Sequence, residues 1–343
     1  MASNRGPRRG SRAGVVVARH RFGSSDAQSR APSPLRFAGS LQITIAIAAF
    51  TLCGSACIRL LRPSGPVYVG VASHEVTDEA GRRIIVPNKI DRIISLAPNL
   101  TEIIYAVGAG DHLVGDTTFC DYPPEAKNVA KVGDTLHPSI ERIIALKPQV
   151  VLVSTASELE AFTKQLDQQG ITVYVTNPGS LEEVFRSIET LGDLFGHHEQ
   201  AAKLAADLRR RAATVGAAVA NAKPVRVFYQ VSDSPLYTIG RDAFQTDLIR
   251  RAGGVSVTAD VPGAFPRFSD EAALAARPDA IILPTGGSMG GANSTVVAPL
   301  RNSPAVSNNR VYRINEDHLQ RPGPRLVDGL EEMARALHPE AFK

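Results

Sequence analysis

SIERIIALKPQVVL, residues Ser139–Leu152, returns 130 positions later as SDEAALAARPDAII, residues Ser269–Ile282. The repeat keeps a Ser, a Glu, an Ala, a cation and a Pro in register. In each copy the Ser can cap a short helix, and the Glu lies in the first turn, where the helix dipole favours a carboxylate. The Pro ends the helix, and the apolar run after it is typical of a buried parallel strand. We therefore expect two halves built on one plan. The alternative is that Glu141 and Glu271 are only helix-start residues.

Strand and helix patterns alternate on both sides of each copy. Such alternation predicts parallel sheets with helices on both faces. From Leu181 to Ala222 the alternation stops, and helical spacing of apolar residues predicts a long bridge instead. The predicted elements are a hairpin at 76–87, strands at 92–96, 113–115, 173–175, 226–230 and 280–283, and helices at 98–107, 159–169, 244–252 and 327–337.

The pattern predicts an α/β fold with two Rossmann-like lobes joined by a long bridging helix. A chain of 343 residues is long enough for two lobes. The predicted organisation is a leader at 1–57, a linker at 58–75, an N-terminal lobe at 76–180, a bridging helical segment at 181–222 and a C-terminal lobe at 223–343. An ordinary pair of surface helices within one domain is the alternative for the bridging segment.

The positive net charge belongs to the leader and not to the predicted lobes. The chain carries +4 overall, but residues 1–56 hold eight Arg and one Asp, so the remainder is weakly acidic. This distribution excludes a nucleic-acid-binding surface of the usual basic kind. Of the three Cys, only Cys120 lies beyond the leader, so no internal disulfide framework is possible. We expect Cys120 to be a small, partly buried side chain.

The leader has the features of an export signal. Arg30 and Arg36 precede an apolar run at Ile43–Leu52, and small residues precede Cys57. The run is shorter than the roughly 20 residues that span a bilayer, which disfavours an uncleaved anchor. The end of the leader resembles a bacterial lipoprotein cleavage site, and this resemblance makes Cys57 the candidate for lipidation. Cleavage elsewhere in the leader stays open.

Four motifs lie between about Arg92 and Leu337. They are ISLAPNLTE at 94–102, CDYPPEA at 120–126, IERIIALKP at 140–148 and DHLQRPGPR at 317–325. These motifs resemble those of the substrate-binding proteins of bacterial ABC importers. Within these proteins the chain is similar to the class with two α/β lobes and a long bridging helix, which is the class III fold of the vitamin B12 (cobalamin) and ferric siderophore binders.

The resemblance implies the role of the repeated Glu residues. In this family one exposed Glu on each lobe docks onto an arginine-bearing pocket of a permease subunit, and Glu141 and Glu271 align with those positions. The implied partner is a permease dimer with its cytoplasmic ATPase. The implied location is periplasmic or at the cell surface, as a monomer held at the membrane by a lipid anchor.

The resemblance also implies that a ligand lies between the lobes, with cobalamin or another corrinoid as the transported cargo and no intrinsic cofactor. The chain has no Trp, although large aromatic surfaces suit a flat corrin ring. The alternative to a ligand-binding role is that the aromatic residues Phe119, Tyr237 and Phe265 belong to the hydrophobic core. The ligand-binding residues carried over are Phe119, Asp121, Tyr122, Asp134, Tyr237, Phe265, Asp317, His318 and Arg321.

Other cargoes stay open as alternatives, namely a ferric siderophore, haem or a metal ion. The imidazole of His318 is a hypothetical ligand for cobalt or iron, against the alternative of a hydrogen-bonded surface residue. His137, His318 and Asp317 are candidates for direct metal ligation if the fold brings them together in the cleft, whereas His197 and His198 are expected to face solvent. No resident metal site is predicted.

The motifs argue against an enzyme. GAG at 108–110 lacks the third glycine of a dinucleotide-binding loop and follows a helix, and GGSMGG at 286–291 lacks the Lys-Ser/Thr of a phosphate loop. We therefore expect no catalytic residues. A surface receptor that senses its ligand without importing it is a further alternative, in which Glu141 and Glu271 have no partner.

Overall fold

A computed structural model describes residues 72–154, 160–287 and 295–343. The predicted leader with Cys57 and most of the predicted linker lie outside these residues. In the N-terminal part a parallel four-stranded sheet has the order β4-β3-β5-β6, and an antiparallel hairpin, β1-β2, precedes it. Every residue of β5 and β6 is buried, because helices cover parallel sheets on both faces. The strands are β1 Ser73–Thr77, β2 Arg83–Pro87, β3 Ile93–Ser95, β4 Leu113–Gly115, β5 Val150–Ser154 and β6 Thr172–Thr176.

The C-terminal part repeats this layout. Its parallel strands have the order β11-β10-β7-β9, and β8 turns back antiparallel to the end of β7. The strands are β7 Val225–Asp233, β8 Leu236–Thr238, β9 Gly254–Ser256, β10 Ala280–Thr285 and β11 Val311–Asn315. The helices of the described chain are α1 Pro98–Ala106, α2 Ile140–Ala145, α3 Glu160–Gln168, α4 Leu181–Leu194, α5 His198–Val219, α6 Phe244–Arg251, α7 Asp270–Ala276, α8 Pro304–Ser307, α9 Glu316–Gln320 and α10 Leu326–Leu337.

The predicted bridging segment consists of two helices and not one. Helix α4 ends at Leu194, and Gly196 adopts a left-handed φ of 77° before α5 begins at His198. The two helices pack on each other, and α4 also contacts α1 of the first lobe and α6 of the second. Arg209 on α5 pairs with Glu182 and Glu189 on α4. The helix pair therefore lies against both lobes.

Each copy of the repeated stretch forms the predicted helix and strand. The hydroxyl of Ser139 accepts the N–H of Arg142 at 3.3 Å, and that of Ser269 accepts the N–H of Ala272 at 3.1 Å. The strands that follow, β5 and β10, are central in the two sheets. The repeat thus generates equivalent helix–strand units in the two lobes. Among the described helices, none is long and apolar enough to cross a membrane.

Candidate functional site between the lobes

The two lobes meet through segments that leave the carboxyl ends of their parallel strands. Helix α1 follows β3, the loop containing Phe119 follows β4, and α9 follows β11. Asn99 on α1 donates its side-chain N–H to the carbonyl of Pro322 at 3.3 Å. Arg321 donates to the carbonyl of Phe119 at 3.5 Å. These contacts join the strand ends at which open α/β sheets generally bind ligands.

A cluster of five charged side chains fastens this contact, with Glu102 and Arg321 buried at its centre and Asp121 35% exposed at its edge. Glu102 on α1 accepts hydrogen bonds from Arg321 at 2.9 Å and from Arg325 at 2.6 Å, and its side chain is 2% exposed. Arg321, 4% exposed, also lies 3.1 Å from Asp121 and 2.9 Å from Asp317. Three carboxylates thus surround two guanidinium groups. A charge at this depth requires such partners, because losing its hydration costs several kcal/mol, on the order of 20 kcal/mol in the idealised limit.

Aromatic side chains stand beside the cluster and on the second lobe. The ring of Tyr122 lies 4.2 Å from the guanidinium carbon of Arg325 and is 45% exposed. Tyr237 is 36% and Phe265 46% exposed, so neither is a core residue, and Phe119 is half-buried. Tyr237 on β8 pairs with Arg267, which places it near the segment that carries Phe265. The structure therefore joins Phe119, Asp121, Tyr122, Asp317 and Arg321 in one place, and Tyr237 with Phe265 in another.

Asp134 and His318 have local partners. Asp134 accepts the N–H groups of Leu136 at 2.8 Å and His137 at 2.6 Å, and these backbone bonds, that of His137 first, lower the pKa of the Asp134 carboxyl. Asp134 therefore shapes the loop ahead of α2.

His318 is held by a neighbouring helix. Its Nδ1 lies 2.8 Å from Glu332 on α10, and the imidazole is mostly buried. No group of three or more His, Cys, Asp or Glu side chains suited to a metal ion occurs in residues 72–154, 160–287 and 295–343.

Glu141 and Glu271 are exposed at equivalent places in the two lobes. The pKa of each carboxyl lies below its ordinary value because its own backbone N–H and the hydroxyl of the capping serine donate to it. Both helices begin at the carboxyl edges of their sheets, since a helix that connects parallel strands runs back from that edge. Each lobe thus presents this ionised Glu carboxylate to solvent at the carboxyl edge of its sheet, and the C-terminal lobe exposes Asp270 beside it.

Comparisons with known proteins identify this architecture. The profile of the family described as "Periplasmic binding protein" matches residues 93–318. The chain belongs to the periplasmic binding protein family. It is 34% identical to the ABC transporter substrate-binding lipoprotein YvrC of Bacillus subtilis (strain 168) over 279 residues, which cover 78% of this chain and 86% of the relative.

Two solved structures share the fold of this periplasmic binding protein. The periplasmic vitamin B12 binding protein BtuF of Vibrio cholerae superposes with a TM-score of 0.65 at 32% identity, covering 75% of this chain and all of that one. The apo periplasmic heme-binding protein RhuT of Roseiflexus sp. RS-1 superposes with a TM-score of 0.64 at 25% identity, covering 74% and 99%. The predicted family and the predicted fold of two α/β lobes are confirmed, and the chain is the binding component of an ABC importer.

Two members of the ion cluster were not among the predicted site residues of this periplasmic binding protein. Glu102 and Arg325 lie in two of the motifs, but neither was assigned a role. The signal that could have identified the cluster was Glu102 itself, the one charged residue of the helix PNLTEIIYA. A buried acid needs a cation, and the pair Arg321 and Arg325, one helical turn apart in sequence, are the candidates.

Proposed function

We propose that this binding protein captures cobalamin or another corrinoid between its lobes and delivers it to a permease dimer that works with a cytoplasmic ATPase. In this proposal the protein acts outside the cytoplasm as a monomer, held at the membrane through a lipid on Cys57. It carries no resident cofactor and performs no chemical step on its cargo.

The buried ion cluster is the observation that carries the choice of ligand. Its two guanidinium groups are shared among three carboxylates, so the lobe contact has an excess of one negative charge. A ligand that brings carboxylates of its own, as haem does, meets repulsion here and gains no cation. A corrinoid with neutral amide side chains avoids that cost, and its flat ring suits the exposed faces of Tyr122, Tyr237 and Phe265.

The exposed carboxylates support delivery to a two-subunit partner. Glu141 and Glu271 stand in the same turn of the repeated helix, one on each lobe, and Asp270 adds a second carboxylate to that turn in the C-terminal lobe. A partner built from two equal subunits requires two equal contacts. Such charge pairs steer and orient the encounter more than they tighten it. This duplication favours an importer over a receptor that only senses its ligand.

Titration of the purified protein with cyanocobalamin, haemin and a ferric siderophore tests the ligand. We expect cyanocobalamin to bind at least about tenfold more tightly than haemin, a difference of about 1.4 kcal/mol. Tyr122→Ala and Phe265→Ala should each weaken cyanocobalamin binding. Phe342→Ala is the matched control, because Arg335 covers that ring at 5.7 Å outside the cluster. Tighter binding of haemin or of the siderophore would reject the corrinoid assignment.

Haem is the second candidate, favoured by the similarity to RhuT and by His318. The hydrogen bond between Nδ1 of His318 and Glu332 orients the imidazole and would leave Nε2 as the ligating atom. If His318 ligates iron or cobalt, His318→Ala should change both the affinity and the visible spectrum of the bound ligand. An unchanged affinity and spectrum would exclude ligation by His318.

A further inference from the structure

The two repeated helices each expose a second side chain besides the carboxylate. Three residues after Glu141 and Glu271, Ile144 is 39% exposed and Leu274 is 63% exposed. A single exposed aliphatic side chain is ordinary on a protein surface. These two, however, occupy the same position of the repeat. Residues three apart lie on one face of a helix, so each lobe presents a carboxylate and an aliphatic side chain next to each other.

The surroundings hold both pairs in the same orientation. In each helix a fully buried residue lies between the exposed Glu and the exposed aliphatic residue, namely Ile143 in α2 and Ala273 in α7. These buried residues fix which side of each helix faces the core. Both helices also end alike, because Lys147 and Arg277 adopt left-handed φ values of 46° and 42° ahead of a proline. The two helices therefore present their Glu and aliphatic positions in the same direction relative to their own sheets, although the neighbouring residues differ, with Ile140 and Arg142 on α2 and Asp270 and Ala272 on α7.

We infer that Ile144 and Leu274 are paired apolar anchors that insert into two equivalent sockets of a two-subunit membrane partner, each socket apolar and bordered by an Arg or Lys. This inference rests on the proposed import function and adds the apolar half of the contact. Two matching patches on one chain fit a partner that repeats its surface. The carboxylate of each patch would pair with a cation on the partner, and the aliphatic side chain would pack into an apolar recess beside that cation.

The two components of each patch differ in what they contribute to binding. Exposed ion pairs contribute little to affinity, about 0–1 kcal/mol, because solvent screens them. Burying an exposed aliphatic side chain contributes more, and its loss from one patch should weaken the complex by about tenfold or more. The carboxylates instead govern the association rate and its salt dependence. Ile144 and Leu274 accordingly set the dissociation rate of the complex.

Binding of the full-length protein to its cognate permease–ATPase complex in lipid nanodiscs tests this inference. The variants are Ile144→Ser, Leu274→Ser, their combination, and Glu141→Lys with Glu271→Lys. Val255→Ser is the matched control, because Val255 is an aliphatic residue that is 50% exposed on β9, outside the repeat. Cyanocobalamin affinity and the thermal midpoint of each variant report whether the lobes are intact.

We expect Ile144→Ser and Leu274→Ser to raise the dissociation rate by similar factors, about tenfold each, with the double variant weaker still and Val255→Ser unchanged. The charge variants should mainly slow association. If the charge variants lose binding while the serine variants match the wild type, the apolar anchors are rejected and the import proposal stands. If neither set changes binding, the proposed docking of this face is rejected as well.

Discussion

At the scale of single residues, Asp116 is a buried carboxylate whose proton is coupled to folding. Burial raises its pKa to about 7, and the ammonium of Lys131, 2.7 Å away, opposes this without offsetting it. The folded state therefore retains a proton that the unfolded chain releases above about pH 4. The stabilisation by this group is fully present below about pH 4 and is lost as the pH rises to about 7.

Asp116→Asn should remove this contribution. We expect the free energy of unfolding of the wild type, relative to the variant, to fall by on the order of 2 kcal/mol between pH 5 and pH 8. Urea unfolding of both proteins at the two pH values measures the difference. An equal pH dependence in the two proteins would show that Asp116 is ionised in the folded state.

What the sequence predicts for a residue depends on how near its partners are in the chain. The positions of Glu141 and Glu271 in the first turns of their helices could be predicted, because the capping serines lie two residues away. The role of Arg321 as a tie between the lobes could not, because Glu102 lies 219 residues earlier. The predicted ligand role of Arg321, like those of the other eight residues carried over, stays a prediction. Its burial shows that it also has a structural task, which no local pattern reveals.

At the scale of elements, the contact between α4 and α5 depends on a glycine. A Cβ on Gly192 would stand 2.1 Å from the Cβ of Ala201, so the two helices could not keep their spacing. Gly192→Ala should therefore destabilise the protein by about 1–3 kcal/mol, although Ala favours a helix by about 1 kcal/mol. Chemical unfolding at neutral pH measures this.

Gly216 on α5 is the control for that substitution. A Cβ there meets nothing within 4 Å, so Gly216→Ala should stabilise the protein by about 0.5–1 kcal/mol through helix propensity alone. Opposite signs for the two alanine variants would establish the close approach of the helices. A stabilising effect at both positions would contradict it.

Most long elements were predictable because their periodicity is strong, as in β5, α6 and α10. The division of the bridge into α4 and α5 was harder to foresee, since apolar spacing continues through Gly196 and only the left-handed backbone there ends the first helix. Helices α8 and α9 and strands β8, β9 and β11 were not predicted. They have three to five residues, and they form because the neighbouring strands and helices complete their hydrogen bonds and packing.

At the scale of the whole molecule, Glu102 ties the lobes together. Glu102→Gln would leave Arg321 and Arg325 buried with two carboxylates in place of three. We expect a loss of about 1–3 kcal/mol in the free energy of unfolding, because a neutral amide is a weaker acceptor for the two guanidinium groups, although the two remaining carboxylates still balance their charge. Glu75→Gln, which removes an exposed pair with Arg83, is the control and should change stability by less than about 1 kcal/mol. Equal effects of the two variants would contradict the role of Glu102.

Because Glu102 and Arg321 at the centre of the cluster are buried, the contact between the lobes should respond to ionic strength differently from the exposed carboxylates. Mobile ions screen charges in solvent beyond about 8 Å at physiological ionic strength, but they hardly reach side chains that are 2–4% exposed. The pair of Glu102 and Arg321 should thus be nearly insensitive to salt, whereas the proposed encounter of Glu141 and Glu271 with a membrane partner should slow as the salt concentration rises. High salt should therefore leave the contact between the lobes in place and lower only the rate of the proposed docking.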